Sequence, residues 1–159
     1  MTDNIAEARA EIQRLHNAWF TANGGLHGEM LKDILAGEEF FNYNLNGYTY
    51  YGLAEMEKLW APEHMGAAFE LRGISNEQNL RIEATETMGW LTVEADVELR
   101  MKEPGGSGEM RGDGEVVVMP FRITECYRRD DGTGRSIWRM WHFHCSQVLA
   151  DGGKRFVSE

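Results

Sequence analysis

Cysteine is scarce in this chain: Cys126 and Cys145 are the only two. Two thiols are too few for a disulfide scaffold, and both are expected to be reduced in a cytoplasmic protein. No apolar run approaches the length of a membrane span. The start, MTDNIAEARAEIQ, lacks a basic stretch followed by an apolar one, so no signal peptide is expected. Positive charge is short: 16 Lys and Arg stand against 26 Asp and Glu, a net charge of −10. Such a field repels phosphate backbones and anionic lipid, so neither nucleic acid nor membrane is an expected partner. No internal repeat, low-complexity tract, HExxH or paired-Cys motif occurs, and neither a metal nor another cofactor is expected.

Five Trp, five Tyr and seven Phe are a generous aromatic supply in 159 residues. That length fits a single domain over residues 1–159, able to bury a core unaided. Ile5, Ala8, Ile12, Leu15 and Trp19 recur at three- and four-residue steps and predict a first helix, capped by Asp3 or Asn4 and ended by Gly24-Gly25. A second short helix is expected over Gly28–Ala36. FFNYNLNGYTYYG, from Phe40 to Gly52, places aromatic residues on both sides of Asn46-Gly47, a strong hairpin signal. A third helix is expected over Leu53–Trp60, closed by Pro62.

Strands fill the rest. Phe69–Ile74 and Leu80–Thr87 are two short ones. Trp90–Met101 alternates, with Leu91, Val93, Ala95, Val97 and Leu99 opposite Thr92, Glu94, Asp96 and Glu98. EPGGSGEMRGDG reads as a loop, and its Arg111-Gly112-Asp113 as a coincidental tripeptide. Glu115–Arg128 is a long strand in which Pro120 implies an edge or a bulge. Ile137–Leu149 is the last. Helices segregate from strands, which argues an α+β class.

The pattern TECYRRDDG…WRMWHFHCS resembles the end of SnoaL-like proteins of the nuclear-transport-factor-like superfamily. Its last strands are similar to the association (hub) domain of calcium/calmodulin-dependent kinase II. The resemblance implies a cone-shaped, cystatin-like fold, in which a curved antiparallel sheet and three helices enclose a cavity. It also implies a range of activities, among them isomerases, dehydratases and non-catalytic hubs, so the site has to be argued by residue.

Similarity to ketosteroid isomerase, a member of that superfamily, implies that Trp141, Phe143 and Cys145 line the cavity. It matches Thr124 to an oxyanion-binding acid, with Arg122 two residues earlier on the same face, and it puts Asn42 where the isomerase keeps its base. Asn cannot accept a proton at neutral pH, so base catalysis does not carry over. Asn42 and Asn44 could instead orient a substrate oxygen. His16, one residue off the first helix's stripe, and His64, after the third helix, are the candidate proton carriers. Tyr43, Tyr48, Tyr50 and Tyr51 are candidate donors. Trp19 and Trp60 would stack an apolar ligand. His142 and His144 share the opposite face of the last strand and read as structural or as part of a subunit contact. Glu94 and Asp96 read as a solvated stripe, or as a buried base if the register were reversed.

These residues support a cofactor-independent lyase, dehydratase or isomerase acting on a small aromatic or polycyclic compound. The rival is a non-catalytic ligand-binding or oligomerisation (hub) domain. A homodimer or higher oligomer is expected, covering the outer face of the sheet.

Overall fold

The computed structural model describes residues 2–102 and 115–148. The loop expected over EPGGSGEMRGDG, its Arg111-Gly112-Asp113, and Leu149 lie outside the described residues. Among these residues the order is α1 (Thr2–Asn23), a 3-10 turn (Gly28–Met30), α2 (Leu31–Ile34), a second 3-10 turn (Gly37–Glu39), β1 (Phe41–Tyr43), β2 (Thr49–Tyr51), α3 (Gly52–Trp60), α4 (Met65–Ala68), β3 (Phe69–Ala84), β4 (Met88–Met101), β5 (Val116–Arg129) and β6 (Trp138–Gln147).

The helices precede the long strands, as an α+β class requires. The cone does not form. The six strands make one open sheet in the order β2-β1-β6-β5-β4-β3, with β2 and β3 as its free edges and no pairing between them. Closure would need those edges to meet. The inner face is instead filled by helical side chains: Ile12, Leu15 and Trp19 of α1, Leu31 and Ile34 of α2, and Met56 and Trp60 of α3 pack on Leu91, Val93, Ile123 and Met140. No helix among the described residues is long and apolar enough to cross a membrane.

Several boundaries move. α1 starts at Thr2, so Asp3 and Asn4 lie within it, and Ile5 is more than a third exposed. The second helix splits into a 3-10 turn and a short α2. The hairpin forms as its Asn-Gly predicts, with Gly47 at φ 81 and Asn44 N–H donating to the Tyr48 carbonyl at 3.1 Å. β1 then pairs with β6 in parallel, Asn42 opposite Phe143.

Phe69–Ile74 and the first part of the expected Leu80–Thr87 belong to one strand, β3, that bulges instead of breaking and ends at Ala84, with residues 85–87 in the turn to β4. Its register against β4 passes from Ser75↔Asp96 to Gln78↔Glu94 and on to Arg81↔Thr92. Two residues of β3 therefore oppose one of β4 twice over, and Asn76 and Asn79, at φ 54 and 55, take the left-handed conformation that each bulge demands.

β4 alternates as its sequence predicts, with Leu91, Val93, Ala95, Val97 and Leu99 buried. At its start Gly89 lets α1 come close, because a methyl there would strike the Ile12 side chain and the Glu83 carbonyl. β5 is an interior strand, and Pro120 stands where its ladder to β6 ends. The β5–β6 register begins at Phe121↔Gln147, and the Pro120 carbonyl accepts from Val148 N–H at 2.9 Å.

Candidate functional site

α1 lays a wide apolar stripe on the sheet, and His16 falls inside it, fully buried one turn after Ile12 and one before Trp19 and Phe20. Its ring meets that of Phe20 at 4.1 Å. On β5 the inward residues are Phe121, Ile123, Glu125 and Tyr127, so alternation brings a carboxylate into the core under α1. A buried carboxylate requires strong partners, and Glu125 has two. His16 Nδ1 lies 2.9 and 3.0 Å from its two oxygens, and the Tyr127 hydroxyl donates to it at 2.5 Å.

This geometry sets the charge state. Burial alone pushes the His16 imidazole down, but the Glu125 hydrogen bond and charge, assisted by Glu77, outweigh it and hold His16 above its ordinary value. Burial, then the Glu125 charge and hydrogen bond, push the Tyr127 phenol well above its usual range, so it stays a neutral donor. His16 Nε2 is buried without a hydrogen-bond partner, and the nearest charged oxygen is Glu77 Oε2 at 3.5 Å.

An aromatic wall stands one turn along α1. Trp19 stacks on Trp60 at 5.2 Å and tilts against Phe143 at 5.1 Å. Its Nε1 has no partner, and neither has Asn42 Oδ1, whose amide nitrogen reaches only Met56 Sδ at 3.6 Å. On the far side Trp60 faces a surface cleft of about 190 Å³, which Leu26, Pro62, Phe69 and Lys102 also line.

Other residues singled out from sequence lie elsewhere. Arg122 and Thr124 are on the outer face of β5, one register step from the inward set. Arg122 is exposed and meets Glu94 at 3.4 Å, and Thr124 pairs across to Thr92 and His144. They therefore do not form an oxyanion site inside. Tyr43 is half-exposed against His142 and His144, Tyr48 is exposed, and the Tyr50 hydroxyl accepts from Asn46 at 2.7 Å on the hairpin rim. Tyr51 and His64 are exposed.

In β6 a bulge opposite Cys126/Tyr127 turns Trp141 out of the lining. Its Nε1 donates to the Asp130 carbonyl at 2.7 Å, and Arg128 lies over its ring at 4.0 Å. Phe143 and Cys145 do face inward, with Cys145 beside Asn44 and its thiol pushed up to about 11 by burial. His142 and His144 face outward, His142 Nδ1 lying 3.1 Å from the Phe41 carbonyl. Glu94 and Asp96 also lie outside, bonded to Asn79 and Asn76. Among the described residues no three His, Cys, Asp or Glu side chains gather to hold a metal.

Neither Glu125 nor Glu77 is among the residues that the sequence singles out. Glu125 had a signal, since it stands in the apolar alternation Phe121-x-Ile123-x-Glu125-x-Tyr127.

No family model matches the chain, nor does any curated protein. Solved structures do. A nuclear transport factor 2-like superfamily protein from Salmonella enterica matches with TM-score 0.73 and 14% identity over 94% of this chain and 99% of the other. The chain has the NTF2-like fold. A candidate scytalone dehydratase from Novosphingobium aromaticivorans shares that fold at TM-score 0.71 and 16% identity, covering 98% of this chain and 94% of its own. A candidate calcium/calmodulin-dependent kinase II association domain from Exiguobacterium sibiricum does so at 0.63 and 11%, covering 88% and 92%. At these identities the NTF2-like likeness reaches the fold and no particular family within it.

Proposed function

We propose that the protein is a cofactor-independent lyase of the dehydratase type, or an isomerase, acting on a small ring-bearing compound, with His16 as its general acid. The observation that carries this reading is the buried His16–Glu125–Tyr127 array. An imidazole fixed by a carboxylate and held above its usual value keeps a proton to deliver. In an elimination of water, the leaving hydroxyl takes the proton from Nε2 and departs as water, the proton of the broken C–H bond passes to a water molecule admitted with the substrate, and the C–H electron pair becomes the new double bond. The Trp19–Trp60 wall supports an aromatic or polycyclic body, and the unpartnered Trp19 Nε1 and Asn42 Oδ1 suit a substrate bearing a carbonyl and a hydroxyl. The inner face is filled, so approach from the cleft at Trp60 is proposed to require that ring to swing aside. The dehydratase name of one fold neighbour points the same way.

The test is a thermal-shift screen of neutral phenols and ring-bearing hydroxy-ketones, with absorbance assays on those that bind. His16→Gln is expected to lower turnover by about 10²–10⁴-fold with folding intact. Full turnover in that variant would remove His16 from the chemistry.

A second reading, a ligand-binding or assembly module, is favoured by the fold neighbour carrying the kinase-association name and by Asn42, an amide that cannot accept a proton, at the position that the isomerase resemblance gives to a base. Light scattering from a ring-sized particle, with binding but no turnover across the screen, supports it. Under either reading a second copy is proposed to cover the outer sheet face, where Tyr43, Trp90 and Val118 are exposed.

A further inference from the structure

His16 has no contact with solvent, and its Nε2 is enclosed. Any proton it gives up or takes back needs a carrier. The groups facing it are few. From β5 come Glu125 and Tyr127, both fully buried. From its own helix comes Phe20, and the inward residues of β4, Leu91, Val93 and Ala95, are apolar. From β3 comes Glu77, with Oε2 3.5 Å from Nε2 and a side chain 40% exposed. Among the described residues, Glu77 is the ionisable group that touches both His16 and water.

The backbone accounts for this placement. Ser75 and Gln78 pair with Asp96 and Glu94, so Asn76 and Glu77 together oppose Ala95. Asn76, left-handed, sends its amide to Asp96 Oδ2 on the outer face at 2.8 Å. Glu77 takes the inward position beside Ala95, a buried residue of the inner face. In a regular strand Glu77 would share the outer side of Ser75. The bulge is what turns a carboxylate from the sheet's edge towards the helix.

We infer that Glu77 is the proton carrier between solvent and the buried His16, a relay built into the bulged edge strand. A protonated Glu77 gives its proton to neutral Nε2, and the resulting carboxylate recovers one from water; the reverse sequence discharges His16. The bonds broken and formed are O–H and N–H only. The relay does not depend on the proposed dehydratase chemistry, although a general acid at His16 would need it once per turnover.

The experiment is exchange of the His16 imidazole N–H protons with water, measured by NMR on the 15N-labelled protein without any ligand. In Glu77→Gln the exchange is expected to slow by about a hundredfold, the scale of a lost acid–base group. The Nδ1–H resonance bonded to Glu125 should stay in place, reporting an intact core. Glu77→Asp, which keeps a carboxylate, is expected to exchange faster than the Gln variant. Equal or faster exchange in Glu77→Gln, with the Nδ1–H resonance unmoved, overturns the relay. An absence of turnover in the substrate screen bears on His16 as a catalyst and leaves this measurement unaffected.

Discussion

The two faces of β5 carry charge in opposite ways. Outward, Arg122 meets Glu94 with both side chains open to water. Inward, three positions along, Glu125 is fully enclosed and holds His16 and Tyr127. An exposed pair is screened and contributes little, whereas a buried one is costly to break because the survivor keeps its desolvation penalty. One step of register thus separates a solvated ion pair from a buried polar cluster.

The sharpest break in that comparison is Glu125→Ala, which leaves His16 buried beside a void. We expect a loss of about 3–5 kcal/mol in urea unfolding. Tyr127→Phe removes one donor to the carboxylate and should cost about 1.5–3 kcal/mol by the same measurement.

The third effect is a slope. His16's folded value lies above its unfolded one. Its contribution is therefore complete below about pH 6.5 and is lost as pH rises through the folded value. Stability should fall over that window in the wild type and stay flat there in His16→Gln. A wild-type curve that rises there would contradict the charged pair. Smallest is Arg122→Ala, expected to stay within about 0.5 kcal/mol of wild type, since its ion pair is exposed.

Patterns with a local cause were legible in the sequence. The α1 stripe, the Asn-Gly turn and the β4 alternation each follow from the period of their own residues. Glu125 was legible too, for the period of Phe121, Ile123 and Tyr127 includes it. A likeness to a ketosteroid isomerase strand pointed to Arg122 and Thr124 instead, and a side chain's face reverses with a single-residue shift. Trp141 and Glu77 were not legible, because bulges displace both and a bulge is settled by the partner strand. The cone failed for a similar reason: curl is a property of the assembled sheet, while each strand's sequence sets only which of its sides is apolar.

The parallel pairing of β1 with β6 joins Phe41 to His142, 101 positions apart. On the ribosome the hairpin is therefore complete long before its partner strand exists. The β6 side of the hairpin must wait until about a hundred further residues have emerged. Contacts so distant in sequence slow folding and leave such segments open to capture by other chains. Among the described residues the last strand made is the one that docks the first, so a chain stalled before β6 would present a sticky hairpin with nowhere to bind.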